Sequence, residues 1–172
     1  MRADLSSTST RTFVLYPVVL GLWQAARRRS PYWRWAPPLA WGYLQYHLAG
    51  RYRTVHGGGG PGMSNPPERL VTSGVYSVTR NPMYLGHLLF LAGLALVTRS
   101  RLAAALFAVH LPWFHARVRR DEAALGGLFG ADYEAYRDRV PRWLPCPRPS
   151  KLSVNAVARR YAPTESADCR WR

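Results

Sequence analysis

The sequence has few acidic residues, almost no lysine and little cysteine. Nine Asp and Glu stand against 24 Lys and Arg, for a formal net charge of +15, and Lys151 is the single lysine. Cys146 and Cys169 form no CxxC motif and no Cys/His spacing for zinc, so we expect ordinary thiols and no metal site. The glycine run 57–60 lacks the Lys-Ser/Thr of a P-loop, and no GxGxxG occurs. These absences argue against zinc-binding, disulfide-stabilised and phosphate-loop proteins.

Long apolar runs are also missing, but four shorter apolar segments are present. A full membrane crossing needs about 20 apolar residues, and these segments are shorter or interrupted. Arginines flank the segments and form no single stripe, which favours a membrane partner over nucleic acid. We therefore predict an all-α, multi-pass membrane protein with four embedded helices, the last two forming a hairpin. The segments are 13–26, 32–49, 83–98 and 102–116.

The orientation of these segments follows from the distribution of positive charge. With both termini in the cytosol, 18 of the 24 bases lie on the cytosolic side. The cluster Arg27-Arg28-Arg29 opposes this bias locally. An alternative for the first segment is a signal peptide cleaved after Gln24-Ala25-Ala26, although the arginines that follow argue against cleavage.

Charged residues become frequent after Arg117, while apolar residues keep a helical spacing. This pattern predicts a cytosolic amphipathic helix that lies against the membrane or the core, with its tyrosines either packed or in contact with a ligand. Residues 146–172 lack any apolar period and predict a disordered basic tail. We assign residues 1–145 to one membrane domain. No oligomeric state is indicated.

The stretch 68–86 combines turn residues, aromatic residues and a helix start. Pro82 suits the first turn of a helix, because its missing N–H has no intrahelical partner there. Arg80 and Asn81 therefore stand at a helix start, where free N–H groups and the helix dipole favour negative groups. Two tyrosines add aromatic faces with a polar tip. The stretch indicates either a pocket for a small ligand with a carboxylate and an aromatic ring, or a polar connection that caps a membrane helix.

Two blocks of sequence resemble the isoprenylcysteine carboxyl methyltransferase family. The first contains Leu70-Val-Thr-Ser-Gly-Val-Tyr76 and then Arg80-Asn-Pro-x-Tyr84-x-Gly86. The second, 117–142, contains Arg117-x-x-x-Asp-Glu-x-x-Leu125, followed by Phe-Gly130-x-x-Tyr133-x-x-Tyr136 and Arg139-Val-Pro-Arg142. Members of this family, and the related phospholipid methyltransferases, are integral membrane enzymes that use S-adenosylmethionine. The resemblance covers about residues 48–145.

The resemblance implies a role for each matching residue. Arg117 matches an arginine that acts near the methyl-accepting group, and its planar fork suits a carboxylate. Asn81 stands where many members have His, and Asp121 where Glu is commoner. The positions implied in donor binding are Glu68, Arg69, Leu70, Val71, Tyr76, Arg80, Asn81, Pro82, Met83, Tyr84, Asp121 and Glu122.

The implied reaction is methyl transfer from S-adenosylmethionine to a lipophilic small-molecule or lipid-modified acceptor that arrives through the bilayer, with a carboxylate as the accepting group. The donor site is expected to face the cytosol. Three alternatives remain at this point: methylation of a phospholipid amine, an NADPH-dependent reductase, and a membrane adaptor without activity. The reductase is included because membrane sterol reductases share a similar Arg-x-Pro-x-Tyr turn. The adaptor is disfavoured by the acidic pair Asp121-Glu122.

Overall fold

The computed structural model describes residues 7–60 and 62–144, and within these residues it contains helices and no strands. The all-α prediction is therefore confirmed. The predicted tail at 146–172 lies outside the described residues. The elements in chain order are α1 (Thr8–Thr10), a π-helix (Arg11–Leu15), α2 (Tyr16–Ala26), a 3-10 turn (Trp33–Trp35), α3 (Ala36–Gly57), a 3-10 turn (Gly74–Ser77), α4 (Pro82–Thr98) and α5 (Arg101–Arg139).

Proline and left-handed residues mark the ends of the longer helices. Prolines occupy the first turns of α3 and α4, including Pro82, as the sequence predicted. Gly58 follows α3 with φ 70°, and Arg99 follows α4 with φ 48°. A left-handed residue ends a helix because it turns the chain away from the helical path. The sharp end of α4 leaves only two residues before α5 begins, and the two helices pack against each other.

Glycines bring α3 and α4 into close contact. A Cβ atom on Gly42 would lie 2.4 Å from the backbone nitrogen of Phe90. A Cβ on Gly86 would lie 2.8 Å from the carbonyl oxygen of Gly42, and one on Gly93 would lie 2.6 Å from the backbone nitrogen of Leu39. Gly86 and Gly93, seven residues apart on α4, therefore let the two helix backbones approach closely. This contact fixes the position of α4, which carries the candidate site at its first turn.

The core consists of three apolar clusters along the bundle. One lies between α2, α4 and α5 around Leu20 and Phe90. A second lies between α4 and α5 around Leu91 and Phe114. The third contains Tyr133 and the side chains that surround it near the end of α5. Its members are Tyr133, Tyr136, Val140, Leu70, Leu125 and Phe129.

One boundary in the sequence prediction is wrong. A membrane helix over 102–116 and a separate surface helix after Arg117 were expected, but α5 runs through Arg117 without a break. The change from apolar to charged residues does not end a helix, because no Gly or Pro interrupts the backbone there. The interruption occurs instead at Gly130, where φ is 50° and ψ is −123°. The last turns of α5 therefore take a new direction.

Among the described residues, no helix combines the length and the apolarity that a membrane crossing requires. The multi-pass part of the fold prediction stays a prediction. Many large apolar side chains of α2, α3 and α5 are nevertheless exposed. They include Val18, Val19, Leu22, Trp23, Trp41, Leu44, Leu48, Val109 and Trp113.

Candidate active site

A cavity of about 350 Å³ lies where the first turn of α4 meets α3 and the middle of α5. This volume is within the range of roughly 300–1,000 Å³ that is typical of small-ligand pockets. Both motif blocks contribute to its wall. Ten of the thirteen predicted site residues line it: Leu70, Val71, Tyr76, Arg80, Asn81, Pro82, Met83, Tyr84, Arg117 and Asp121.

The structure does not bring Glu68, Arg69 and Glu122 into the wall of the cavity. Glu68 and Arg69 are exposed, and their backbone N–H groups donate to the carbonyl of Gly57 over 2.8 and 3.0 Å. Their backbone therefore ties the loop to the end of α3. Glu122 is buried behind the wall, with 6% of its surface exposed.

Glu122 joins the two motif blocks through a set of hydrogen bonds. Its Oε1 accepts from Asn81 Nδ2 at 2.8 Å, and its Oε2 accepts from Arg142 Nε at 3.0 Å and Nη2 at 2.8 Å. We call Glu122, Asn81 and Arg142 the Glu122 latch. The backbone N–H of Arg80 adds a bond to the carbonyl of Pro141 at 3.0 Å. The latch holds the first turn of α4 against the segment that follows α5.

Asp121, next to Glu122 in sequence, has a different environment. It is half-buried at the cavity, where its Oδ2 accepts from the hydroxyl of Tyr84 at 2.5 Å. The same hydroxyl accepts from Arg117 Nε at 3.2 Å. Arg117 and Asp121 are four residues apart on α5 and so face the same side. The result is a row of a cation, a phenol and a carboxylate along one wall.

The charge of Arg117 is reinforced by its surroundings. Its hydrogen bond to the hydroxyl of Tyr84 raises the pKa of the guanidinium above its usual value. The guanidinium also lies 5.7 Å from the ring centroid of Trp113. Arg117 is otherwise exposed at this edge of the cavity. An anionic group that enters from outside would therefore meet a permanent positive charge.

Three buried tyrosines form the part of the wall near the end of α5. Tyr136 donates its hydroxyl to the carbonyl of Tyr76 at 2.7 Å, and Tyr76 donates to the carbonyl of Ala49 at 3.3 Å. Burial raises the pKa of both Tyr76 and Tyr133 to about 12, and it raises the pKa of Tyr136 as well. All three hydroxyls therefore stay protonated at neutral pH and act as hydrogen-bond donors.

Several lining residues were missed or left without a role by the sequence analysis. The apolar spacing in block 117–142 pointed to Tyr133 and Tyr136 without deciding between packing and ligand contact. Arg142, which contacts Glu122 behind the wall, was part of the motif but had no assigned role. No sequence signal marked the others, which come from the N-terminal segment, α3 and the 62–67 loop. They include Ser7, Thr8, Ser9, Tyr46, Arg53, Met63 and Pro67.

The lining residues fit the functional groups of S-adenosylmethionine. The carboxylate of Asp121 can pair with an ammonium group, and Leu70 and Val71 offer an aliphatic surface to a purine ring. Arg80 and Tyr133 offer buried hydrogen-bond donors for which the described residues supply no acceptor of good geometry. The cavity therefore provides an acidic, an apolar and a donor-rich region, which correspond to the three kinds of group on this cofactor.

Comparison with known proteins supports the resemblance seen in the motifs. A phospholipid methyltransferase family model matches residues 50–132, which include most of the cavity wall. The protein-S-isoprenylcysteine O-methyltransferase of Schizosaccharomyces pombe is 34% identical over 82 residues, which are 47% of this chain and 35% of the relative. Protein-S-isoprenylcysteine O-methyltransferase B of Arabidopsis thaliana is 37% identical over 79 residues, 45% of this chain and 40% of the relative.

A third relative, the protein-S-isoprenylcysteine O-methyltransferase of Mus musculus, is 34% identical over 77 residues, 44% of this chain and 27% of the relative. The chain thus spans well under half the length of each of these three relatives. No solved structure matches it significantly. The predicted resemblance to the isoprenylcysteine carboxyl and phospholipid methyltransferases is confirmed by the family model and the named relatives.

Proposed function

We propose that this chain transfers a methyl group from S-adenosylmethionine to a carboxylate on a lipophilic acceptor. The observation that carries the proposal is the row Arg117–Tyr84–Asp121 in a cavity built from both motif blocks. In this row the Arg117 guanidinium and the Asp121 carboxylate both bond to the hydroxyl of Tyr84. The cation suits a carboxylate acceptor, and the anion suits the ammonium group of the donor. The relatives named O-methyltransferases support the same reaction class.

When bound, S-adenosylmethionine would supply an electrophilic methyl group on a positively charged sulfur. An acceptor oxygen would bond to the methyl carbon in line as the carbon–sulfur bond breaks and S-adenosylhomocysteine leaves. Asp121 pairs with the ammonium group of the donor, and Tyr84 fixes the Asp121 carboxylate by hydrogen bonding. Arg117 holds the acceptor carboxylate with its planar fork and so aims an oxygen at the methyl carbon. Neither a metal nor a covalent enzyme intermediate is required, since the carboxylate is already ionised at neutral pH.

We further propose that the helices embed in a membrane, with the cavity open to the cytosol and the acceptor delivered through the lipid. The support is the exposed apolar surface of α2 and α3, together with the positive charges that flank it. A lipid-modified acceptor fits this arrangement, because its apolar chain can stay in the membrane while its carboxylate reaches Arg117. The partners of the chain are then membrane lipid and this acceptor.

A second candidate acceptor is the amine of a phospholipid headgroup. It is favoured by the phospholipid methyltransferase model that matches residues 50–132. An amine acceptor would gain nothing from a nearby guanidinium, whereas a carboxylate would gain two parallel hydrogen bonds. The role of Arg117 therefore separates the two candidates.

The first test is isothermal titration of the detergent-solubilised chain with S-adenosylhomocysteine and, separately, with NADPH. We expect binding of S-adenosylhomocysteine alone. Binding of NADPH alone would replace the methyltransferase proposal with the reductase.

The second test is the kinetics of Arg117→Lys with a prenylcysteine carboxylate as acceptor. Lysine keeps the charge but loses the bidentate grip, so turnover should fall by about tenfold while donor affinity stays unchanged. Arg119→Lys, an exposed arginine on the same helix, is the matched control and should behave as wild type. Wild-type turnover in Arg117→Lys would reject this role and favour the amine acceptor.

A further inference from the structure

Two buried polar side chains in the cavity wall have hydrogen-bonding groups that no atom of the described residues satisfies with good geometry. Nε and Nη1 of Arg80 have no such partner within residues 7–60 and 62–144, although the side chain is only 6% exposed. The hydroxyl of Tyr133, a residue that is 2% exposed, has none there either, and it lies beside the Arg80 guanidinium. Both residues line the same cavity. Buried donors are normally satisfied, so two such groups facing one cavity indicate a missing acceptor.

The nearby Glu122 does not supply that acceptor. Its two oxygens already receive hydrogen bonds from Asn81 and from Arg142. Nε of Arg80 lies 3.6 Å from Oε1 of Glu122, which is too long for a hydrogen bond. Arg80 and Arg142 thus share one carboxylate, and this buried group carries one positive charge in excess. A second anion beside Arg80 would balance it.

Tyr133 is suited to bind that anion together with Arg80. Its raised pKa keeps the phenol protonated, so the hydroxyl can donate to an anionic oxygen. Its ring packs edge-on against Tyr136 at a centroid distance of 6.1 Å, which holds the side chain in place. Asp121 lies in the same cavity, but its Oδ2 already receives the bond from Tyr84. The unused donors are therefore separate from the Arg117–Tyr84–Asp121 row.

We propose that Arg80 and Tyr133 together form a carboxylate subsite in this cavity. The motif resemblance implies Arg80 in donor binding, but it names no ligand group for Arg80 and no role for Tyr133. The inference rests on the proposed function for the identity of the ligand. Two reactants carry a carboxylate: the donor, in its amino acid part, and the acceptor. The subsite chemistry is the same for both, so the experiment has one arm for each.

The donor arm compares two nucleosides that differ in the carboxylate-bearing part. S-adenosylhomocysteine contains the amino acid, and 5′-methylthioadenosine lacks it. Tyr133→Phe removes only the hydroxyl, which interacts with the Arg80 guanidinium but forms no hydrogen bond of good geometry among the described residues. We expect its affinity for S-adenosylhomocysteine to fall by about tenfold, as for the loss of a hydrogen bond to a charged group. Its affinity for 5′-methylthioadenosine should stay at the wild-type value in the same titration.

Tyr16→Phe is the matched control, because Tyr16 does not line the cavity. Its hydroxyl lies 3.4 Å from Nε2 of His110, so its removal should lower the melting temperature. The ratio of the two nucleoside affinities should not change. Arg80→Gln serves as a second variant. It should reduce the affinity for S-adenosylhomocysteine relative to that for 5′-methylthioadenosine at least as much as Tyr133→Phe does.

The acceptor arm measures competition between a prenylcysteine and its methyl ester. If the subsite takes the acceptor carboxylate, Tyr133→Phe should reduce the preference for the free acid and leave both nucleoside affinities unchanged. Identical selectivity of wild type and Tyr133→Phe in both arms overturns the subsite while the proposed function stands. A wild-type chain that binds neither nucleoside overturns the proposed function and this inference with it.

Discussion

The two ends of the helical bundle use arginine in different ways. At the cavity end, Arg80 and Arg142 are buried beside the carboxylate of Glu122. At the other end, arginines cluster around the chain between α2 and α3 and the turn between α4 and α5. There Arg27 lies over the ring of Trp23 at 4.4 Å, and Arg99 lies over the ring of Tyr32 at 5.3 Å.

The difference follows from the distribution of acids. Residues 5–67 contain no Asp or Glu, and neither do residues 69–120. The arginine-rich end therefore has aromatic faces as partners, and neutral hydrogen bonds tie it together, such as that from Gln24 to the carbonyl of Thr98. Exposed cations lose little when such a partner is removed, because water solvates them. Water does not solvate a buried cation at the cavity end, so that cation depends on its carboxylate partner.

The largest expected effect is at the Glu122 latch. Glu122→Gln leaves two buried guanidinium groups without a counter-charge, which should lower the free energy of unfolding by about 3–5 kcal/mol. The control is Glu134→Gln on the same helix, where the exposed pair with Arg137 should contribute about 1 kcal/mol or less. Chemical denaturation in detergent measures both. Equal effects in the two variants would show that burial does not distinguish these carboxylates.

High pH should weaken the cavity end by a separate route. Tyr76 and Tyr133 have folded-state pKa values near 12, above the ordinary value of 10.0. Their protonated forms therefore stabilise the fold fully below pH 10, and this contribution is lost as the pH rises toward 12. Donor binding should fail in this window, and the part of the phenolate absorbance that Tyr133→Phe lacks should appear in the same window. Tyrosine ionisation complete near pH 10 would contradict the burial of these side chains.

The smallest expected effect is at the arginine-rich end. The double variant Arg27→Gln and Arg99→Gln removes two exposed cation–aromatic contacts, which contribute about 0.5–1 kcal/mol each at such sites. Donor affinity should not change, because the cavity lies at the other end. Raising the salt concentration should reduce the difference from wild type. A loss of donor binding in this double variant would show that the two ends are coupled.

The helical class and the hairpin could be predicted from the sequence because their signals are local. Apolar segments of helical length, prolines at helix starts and the α4 glycines each act within a few residues. The continuity of α5 was missed because a change of polarity at Arg117 was interpreted as a helix boundary. A helix is interrupted where the backbone leaves the helical conformation. In α5 this occurs at Gly130, the only residue of that helix with non-helical dihedral angles.

Most of the predicted site residues line the cavity, and the different positions of Asp121 and Glu122 have a simple geometric cause. Asp121 and Glu122 were both assigned to donor binding as an acidic pair. Neighbouring residues on a helix point about 100° apart, so two adjacent side chains do not face one pocket. Only Asp121 lines the cavity, and Glu122 holds Asn81 and Arg142 behind it. Which of the two faced the cavity depended on how α5 packs, and no local pattern contains that information.

The Glu122 latch also sets the order in which the site is completed during synthesis. A ribosome releases Asn81 first, Glu122 next and Arg142 last, 61 residues after Asn81. A nascent chain that stops before Arg142 carries the first turn of α4 and most of the cavity wall, and Glu122 then has Asn81 and Arg80 beside it but lacks the two hydrogen bonds from Arg142. We therefore expect the site to mature late in translation. Until Arg142 arrives, the segment that follows α5 cannot hold the first turn of α4 in place.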